Sequence, residues 1–288
     1  MGIDPSRAIG ASLGECELSW DSSDVLLYHL GVGAGRERPL GERELRYVYE
    51  KSLRVLPTFA VVAHTLGEAS APEVSMPGVD VDLAAALHGG QELSVHAPIP
   101  AEGKAVMRSR IADVHDKGKA AVIVMENEVV ALDDNPLFTT RTKVFARGEG
   151  GFGGERGPSE HVELPQRSPD ATLDCPTSVR QALVYRLSGD RNPLHVDPDF
   201  AATAGFEEPI LHGLCSYGVV CKAVVDELLD GDPTRVRDYA ARFAGVVYPG
   251  ETIRVRVWRQ DGGRLLIAAT VVERDEAPVL SDTVITAA

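Results

Sequence analysis

With 288 residues, the chain is long enough for two cores of ordinary domain size, about 100–150 residues each. A hydrophobic share of 44% and a charged share of 25% are those of a soluble globular protein. A formal net charge of −14 argues against non-specific nucleic-acid binding, which depends on Lys and Arg neutralising phosphates; a phosphorylated small molecule would need a local basic patch.

Four cysteines (Cys16, Cys175, Cys215, Cys221) are scattered without a Cys-x-x-Cys pair, which speaks against a metal or redox centre and for a reducing compartment. The opening MGIDPSRAIG has no apolar core of a signal peptide. The longest apolar run, residues 55–66, is interrupted by Pro57, Thr58 and His64 and is too short to cross a bilayer. The closing VITAA carries no peroxisomal address. A cytoplasmic protein with neither membrane nor nucleic-acid partner is the expectation.

The first stretch, residues 3–13, is weakly patterned. Residues 22–30 have a cap and then apolar positions at Val25, Leu26, Tyr28 and Leu30, a short helix stopped by Gly31. Residues 105–114 and 120–132 pair as a hairpin across Asp116-Lys117-Gly118-Lys119, and residues 252–259 and 265–274 pair across Gln260-Asp261-Gly262-Gly263. Between them runs Arg147-Gly148-Glu149-Gly150-Gly151-Phe152-Gly153-Gly154. No Gly-Lys-Ser/Thr follows it, so it reads as a flexible crossing segment and not a phosphate cradle.

Several pieces recur at an offset of about 150 residues. Tyr28-His29-Leu30-Gly31 echoes Tyr185-Arg186-Leu187-Ser188-Gly189, and Pro57 opens an apolar segment as Pro209 does. Each hairpin is introduced by a Pro and Gly turn, at Pro100 and at Pro249. An internal duplication follows, with domains over residues 1–150 and 171–288 and a linker over 151–170. Each half is expected to run helix, loop, longer apolar helix, then antiparallel strands. The longer helix is clearest over residues 214–229, where Leu214, Tyr217, Cys221, Val224, Val225 and Leu228 recur at three- and four-residue steps.

The second half alone carries chemistry. Thr177 or Ser178 can cap a helix that Gly189 stops in the left-handed conformation. Pro193 enforces a loop, and Asp197-Pro198 opens another short helix. Asp190 and His195 therefore flank a proline-stiffened loop, a carboxylate and an imidazole placed to move a proton near pH 7. Asn192 between them can hold a water or orient the pair. Gly213, at the head of the long helix, offers a main-chain N–H where the helix dipole favours negative charge. His212 can pack or bond near that helix start, or serve as a second base.

Tyr185, Ser188, Gly189, Asp190, Asn192, Pro193, Leu194 and His195 resemble the hydratase 2 motif of the MaoC-like dehydratases, the (R)-specific enoyl-CoA hydratases, without a departure. Pro209 to Leu214 looks like the family's downstream motif, and the likeness covers most of the chain in its two-domain form. The resemblance implies an α+β double hot-dog fold, two antiparallel sheets each wrapped around a long central helix. It implies reversible hydration of a trans-2-enoyl-CoA to an (R)-3-hydroxyacyl-CoA by Asp190 and His195, with the oxyanion contact at Gly213, on medium, long or bulky acyl chains. Residues matching family substrate contacts are His88, Gly89, Lys117, Arg191, Pro193, Leu194 and Phe243. No metal and no cofactor is implied, coenzyme A being part of the substrate, and a homodimer is expected. A hot-dog acyl-CoA thioesterase and a non-catalytic acyl-CoA binding protein are the alternatives.

Overall fold

The computed structural model describes residues 2–36, 41–66, 76–81, 86–158 and 161–288. The first half runs α1 (Pro5–Ala8), β1 (Ser12–Trp20), α2 (Ser22–Gly31), α3 (Glu42–Val48), a 3-10 turn at Pro57–Val61, then β2 (Ala86–Val95), β3 (Gly103–Asp116), β4 (Ala120–Ala131) and β5 (Pro136–Arg147). The second half runs β6 (Ala171–Pro176), α4 (Gln181–Tyr185), 3-10 turns at Arg186–Ser188 and Pro193–His195, α5 (Pro198–Thr203) and α6 (Gly213–Leu228). It closes with β7 (Val236–Phe243), β8 (Thr252–Arg259), β9 (Arg264–Val271) and β10 (Ala277–Ala287). No helix among the described residues is long and apolar enough to cross a membrane.

The strand order is β1-β3-β4-β5-β2-β7-β10-β9-β8-β6. Read inward from either edge, each half has the same order, so β1 to β5 correspond to β6 to β10 in turn. The duplication read from short sequence echoes is thus the organising symmetry of the sheet, and the fold is a double hot dog. One expectation needs correction. The two sheets are a single ten-stranded antiparallel sheet, because β2 and β7 pair from Gly90↔Arg242 to Ser94↔Asp238. Pairing these two strands removes what would otherwise be two exposed edges.

The sheet curls around α6, whose Tyr217, Val220, Cys221, Val224 and Val225 are fully buried. Tyr217 and Tyr239 stack with ring centroids 3.8 Å apart, and each hydroxyl donates to the other's main-chain carbonyl, at 2.8 and 3.1 Å. Those two bonds satisfy phenols that would otherwise be costly to bury, and they fix α6 against β7. Burial on most sides, as the broad apolar surface implies, is the outcome.

In the first half, the longer helix expected after Pro57 falls partly on residues 67–75, which lie outside the described residues. The apolar run from Pro57 forms only a 3-10 turn. Phe59 instead points its ring at the edges of Trp20 and Tyr28, with centroids 6.0 and 5.8 Å away. The cap of α4 also differs: Arg180 is the capping residue, and the Ser178 hydroxyl accepts from the Arg180 N–H at 3.1 Å.

The echo residues meet in space. Gly31 lies so close to Tyr185 that an added Cβ would come within 3.1 Å of its Cα, and the rings of Tyr28 and Tyr185 are 6.1 Å apart. His29 ties this region together. Its Nδ1–H donates to the Tyr47 carbonyl at 2.8 Å and its Nε2 accepts from the Leu56 N–H at 3.1 Å, a bond only the neutral ring can make. Burial pushes its pKa down to about 4. The unfolded chain, with an ordinary histidine near 6.5, therefore takes up the proton first, and stability falls as pH drops from about 6.5 to about 4. Acid titration of the unfolding free energy should show that decline, up to about 3 kcal/mol from this residue. His29→Gln should be less stable at pH 7 yet flatter across the same window.

Candidate active site

The loop between α4 and α5 carries the acid and the imidazole. Gly189 adopts φ +119°, and a Cβ there would lie 2.1 Å from the Thr65 carbonyl oxygen, so both conformation and crowding demand glycine. The Thr65 hydroxyl donates to the Ser188 carbonyl at 3.0 Å, bracing the loop from the first half. No sequence pattern marked Thr65. Its role arises from a contact 123 residues away.

Asp190 Oδ1 accepts from the Asn192 N–H at 3.1 Å, and Asn192 Oδ1 accepts from the Leu194 N–H at 3.0 Å. The Asn192 oxygen is thus spent capping the Pro193–His195 turn, which is how this residue orients His195. Pro193 opens that turn and Leu194 is half-buried within it. Arg191 shapes the loop through its carbonyl, which accepts from Arg186 Nη2 at 3.5 Å.

His195 Nδ1 lies 2.8 Å from the Ile210 carbonyl oxygen, which can only accept, so Nδ1 carries the hydrogen and Nε2 presents a lone pair. That Nε2 stands 4.0 Å from Asp190 Oδ2. The separation exceeds a direct hydrogen bond and suits one water donating to both atoms. Burial lowers the His195 pKa, and the opposing pull of the Asp190 charge only partly offsets this. The imidazole is neutral at pH 7. The His195 side chain is 9% exposed and that of Asp190 41%, so the pair opens to solvent from the carboxylate side.

His212 lies flat against His195, with centroids 3.7 Å apart and planes at 27°. Asp190, His195 and His212 bring ligand-type atoms within 4.8 Å of one another. Two imidazoles nearly face to face send their in-plane lone pairs side by side, whereas a tetrahedral ion needs them to converge. The cluster suits proton handling better than metal binding.

Gly213 follows His212 as the first residue of α6 and is exposed. Among the described residues nothing accepts its N–H, as expected for the head of a helix. Phe243 closes the space beside it, its ring 3.2 Å from where a Gly213 Cβ would stand. His88 meets the Phe243 ring edge-on at 4.7 Å, and the charge of Asp190 reaches His88. His88 is exposed, and its Nε2 lies 3.1 Å from the Gly90 carbonyl oxygen. Next to it, Gly89 lines a cavity of about 650 Å³ shared with Lys117, Arg110, Arg141, Lys143 and Arg242. Glu92, Asp113 and Asp282 line the same cavity, whereas Asp190, His195, Gly213, Phe243 and His88 are not among its lining residues. Lys117 Nζ donates to the Pro158 carbonyl at 3.0 Å.

A profile of the MaoC like domain matches residues 160–277, and one of the MFE-2 hydratase 2 N-terminal domain matches residues 18–148. The chain is 52% identical over 281 residues to the enoyl-CoA hydratase ChsH3 of Mycobacterium tuberculosis, covering 98% of both proteins. The chain belongs to the MaoC-like dehydratase family. This MaoC-like protein is also 43% identical to 3-hydroxyacyl-thioester dehydratase Y of the same organism, covering 98% of this chain and 97% of that one. Its fold matches the crystal structure of a MaoC-like dehydratase from Phytophthora capsici with a TM-score of 0.88 at 29% identity, each chain covered to 98%.

The Gly189 constraint can be tested directly. Gly189→Ala should destabilise the protein by roughly 1–3 kcal/mol and displace the loop, since a methyl group would collide with main-chain atoms. Thermal unfolding and a crystal structure of the variant would measure both effects.

Proposed function

We propose that this protein is an (R)-specific 2-enoyl-CoA hydratase, adding water to a trans-2-enoyl-CoA and reversing that addition. The observation that carries the reading is the 4.0 Å gap between Asp190 Oδ2 and His195 Nε2, with an exposed helix-head amide at Gly213 nearby in the chain of contacts. Both facing atoms are acceptors, so one water can give a hydrogen bond to each. As its oxygen bonds to the β-carbon, one of its protons passes to the pair. The thioester oxygen gains negative charge, and the Gly213 N–H holds it at the positive end of α6. One proton then goes from the pair to the α-carbon. The water's hydroxyl ends on one carbon and a proton on the other, so the site returns to its starting state and the chemistry needs no metal or redox cofactor.

We assign the cavity lined by Gly89, Lys117 and Arg242 to the phosphate-bearing end of coenzyme A. Lys117 is the cation expected to meet a phosphate there, since Arg242 is already paired with Asp282 at 2.8 Å and Lys143 with Glu92. The echo at residues 28–34 carries neither the aspartate nor the histidine of the motif, which leaves room for a long or bulky acyl tail. A rate that collapsed beyond short chains would overturn that part.

Loss of the enoyl absorbance without release of free thiol distinguishes hydration from thioester hydrolysis. Asp190→Asn and His195→Gln should each lower kcat by about 10²–10⁴-fold while the protein stays folded. Because the neutral form of His195 is the active one and its pKa is lowered, kcat/KM should fall on the acid side only below about pH 6.5. Lys117→Ala should raise KM for the coenzyme A thioester and leave KM for a truncated pantetheine thioester unchanged. An equal change for both substrates would remove the cavity from the account.

A further inference from the structure

We infer that His212 is a positioning residue, tying the main chain of Asp190, the ring of His195 and the head of α6 into one rigid unit. The inference rests on the proposed hydration reaction for its kinetic consequence, but its geometry stands alone. His212 is 1% exposed. Its Nε2 lies 3.3 Å from the main-chain oxygen of Asp190, so the N–H of that atom donates there. One ring face covers His195 at 3.7 Å, and Tyr185 flanks it at 4.9 Å. As the N-cap of α6, it is bonded directly to Gly213. Any rotation of this ring must disturb Asp190, His195 or the proposed oxyanion donor.

The arrangement also sets charge. His212 Nδ1 is buried and finds no hydrogen-bond partner among the described residues, so a proton there would be unsolvated. Burial holds the His212 pKa well below that of an ordinary histidine, and a charge on neighbouring His195 would lower it further. The groups acting on it are His195, Arg186, Tyr185 and Asp190, the last through its main-chain oxygen; those acting on His195 include Asp190 and Arg186. A permanently neutral plate on the inner face of His195 keeps water off that face. It thereby favours the neutral base over its protonated form.

The test reads His195 itself. Proton NMR titration of the histidine ring hydrogens, with His195→Gln used for assignment, gives its midpoint in wild type, His212→Ala, His212→Gln and His212→Phe. With the plate removed in the Ala and Gln variants, the His195 midpoint should rise toward the ordinary value near 6.5. The Phe variant keeps a flat apolar cover, so the midpoint should stay at or below that of wild type. It loses the donor to Asp190, however, and its kcat should drop roughly tenfold or more with KM changed less than about threefold. In an Asp190→Asn background the same substitution should cost little more, since residues acting as a unit are not additive. Should the Ala variant fail to fold, the Gln variant decides the midpoint. Folded variants with an unmoved midpoint and unchanged kcat would reduce His212 to packing and overturn the inference. The titration needs no substrate, so a wild-type protein without hydratase activity would sink the proposed reaction and leave this result to be judged separately.

Discussion

Everything at the site depends on the pairing of β2 with β7. Five residues of each strand, from Gly90↔Arg242 to Ser94↔Asp238, join two copies of one fold into a continuous sheet. The seam brings His88 and Gly89 from one half beside Phe243 and Arg242 from the other. The glycines at the start of β2 belong to this junction. A Cβ at Gly90 would stand 3.0 Å from the Ala241 carbonyl oxygen, so a larger residue there would push the strands apart by a few tenths of an ångström.

Scaffold symmetry and chemical asymmetry are kept apart in this chain. Each half contributes five strands in the same order, and α2 and α4 meet through their matching tyrosines. Among the described residues, only the second half adds the Asp190–His195 loop and a sixteen-residue helix. The first half contributes support, with Thr65 against the Ser188 carbonyl and His29 locking α2 to α3 and Leu56. Lys222 on α6 adds a further tie, bonded to both Glu44 and Asp226 at 2.8 Å.

Much of the local structure was legible in the sequence, for reasons that also explain what was not. The hairpins and α6 announced themselves through alternation and three- or four-residue spacing, because one face of each is buried. β1 did not, because it lies at the sheet edge with most of Ser12–Trp20 exposed, so no alternation was required of it. β2 was hidden by its Gly89-Gly90 pair and the irregular register between His88 and Gly90. Gly189 and Pro193 fixed the motif loop locally, which made Asp190 and His195 readable. The joining of two sheets into one and the stacking of His212 on His195 depend on residues distant in sequence. No spacing rule could disclose them.

The glycine-rich segment after β5 holds an anion that belongs to the chain itself. Asp116, at the β3–β4 tip, accepts from the N–H groups of Gly118, Gly151 and Gly153 at 2.8–2.9 Å. A connection that would otherwise hang as slack is pinned part-way by a carboxylate. Each shortened span then surrenders less freedom when the second half docks. The chain is in effect moored to the first half before it turns to build the second.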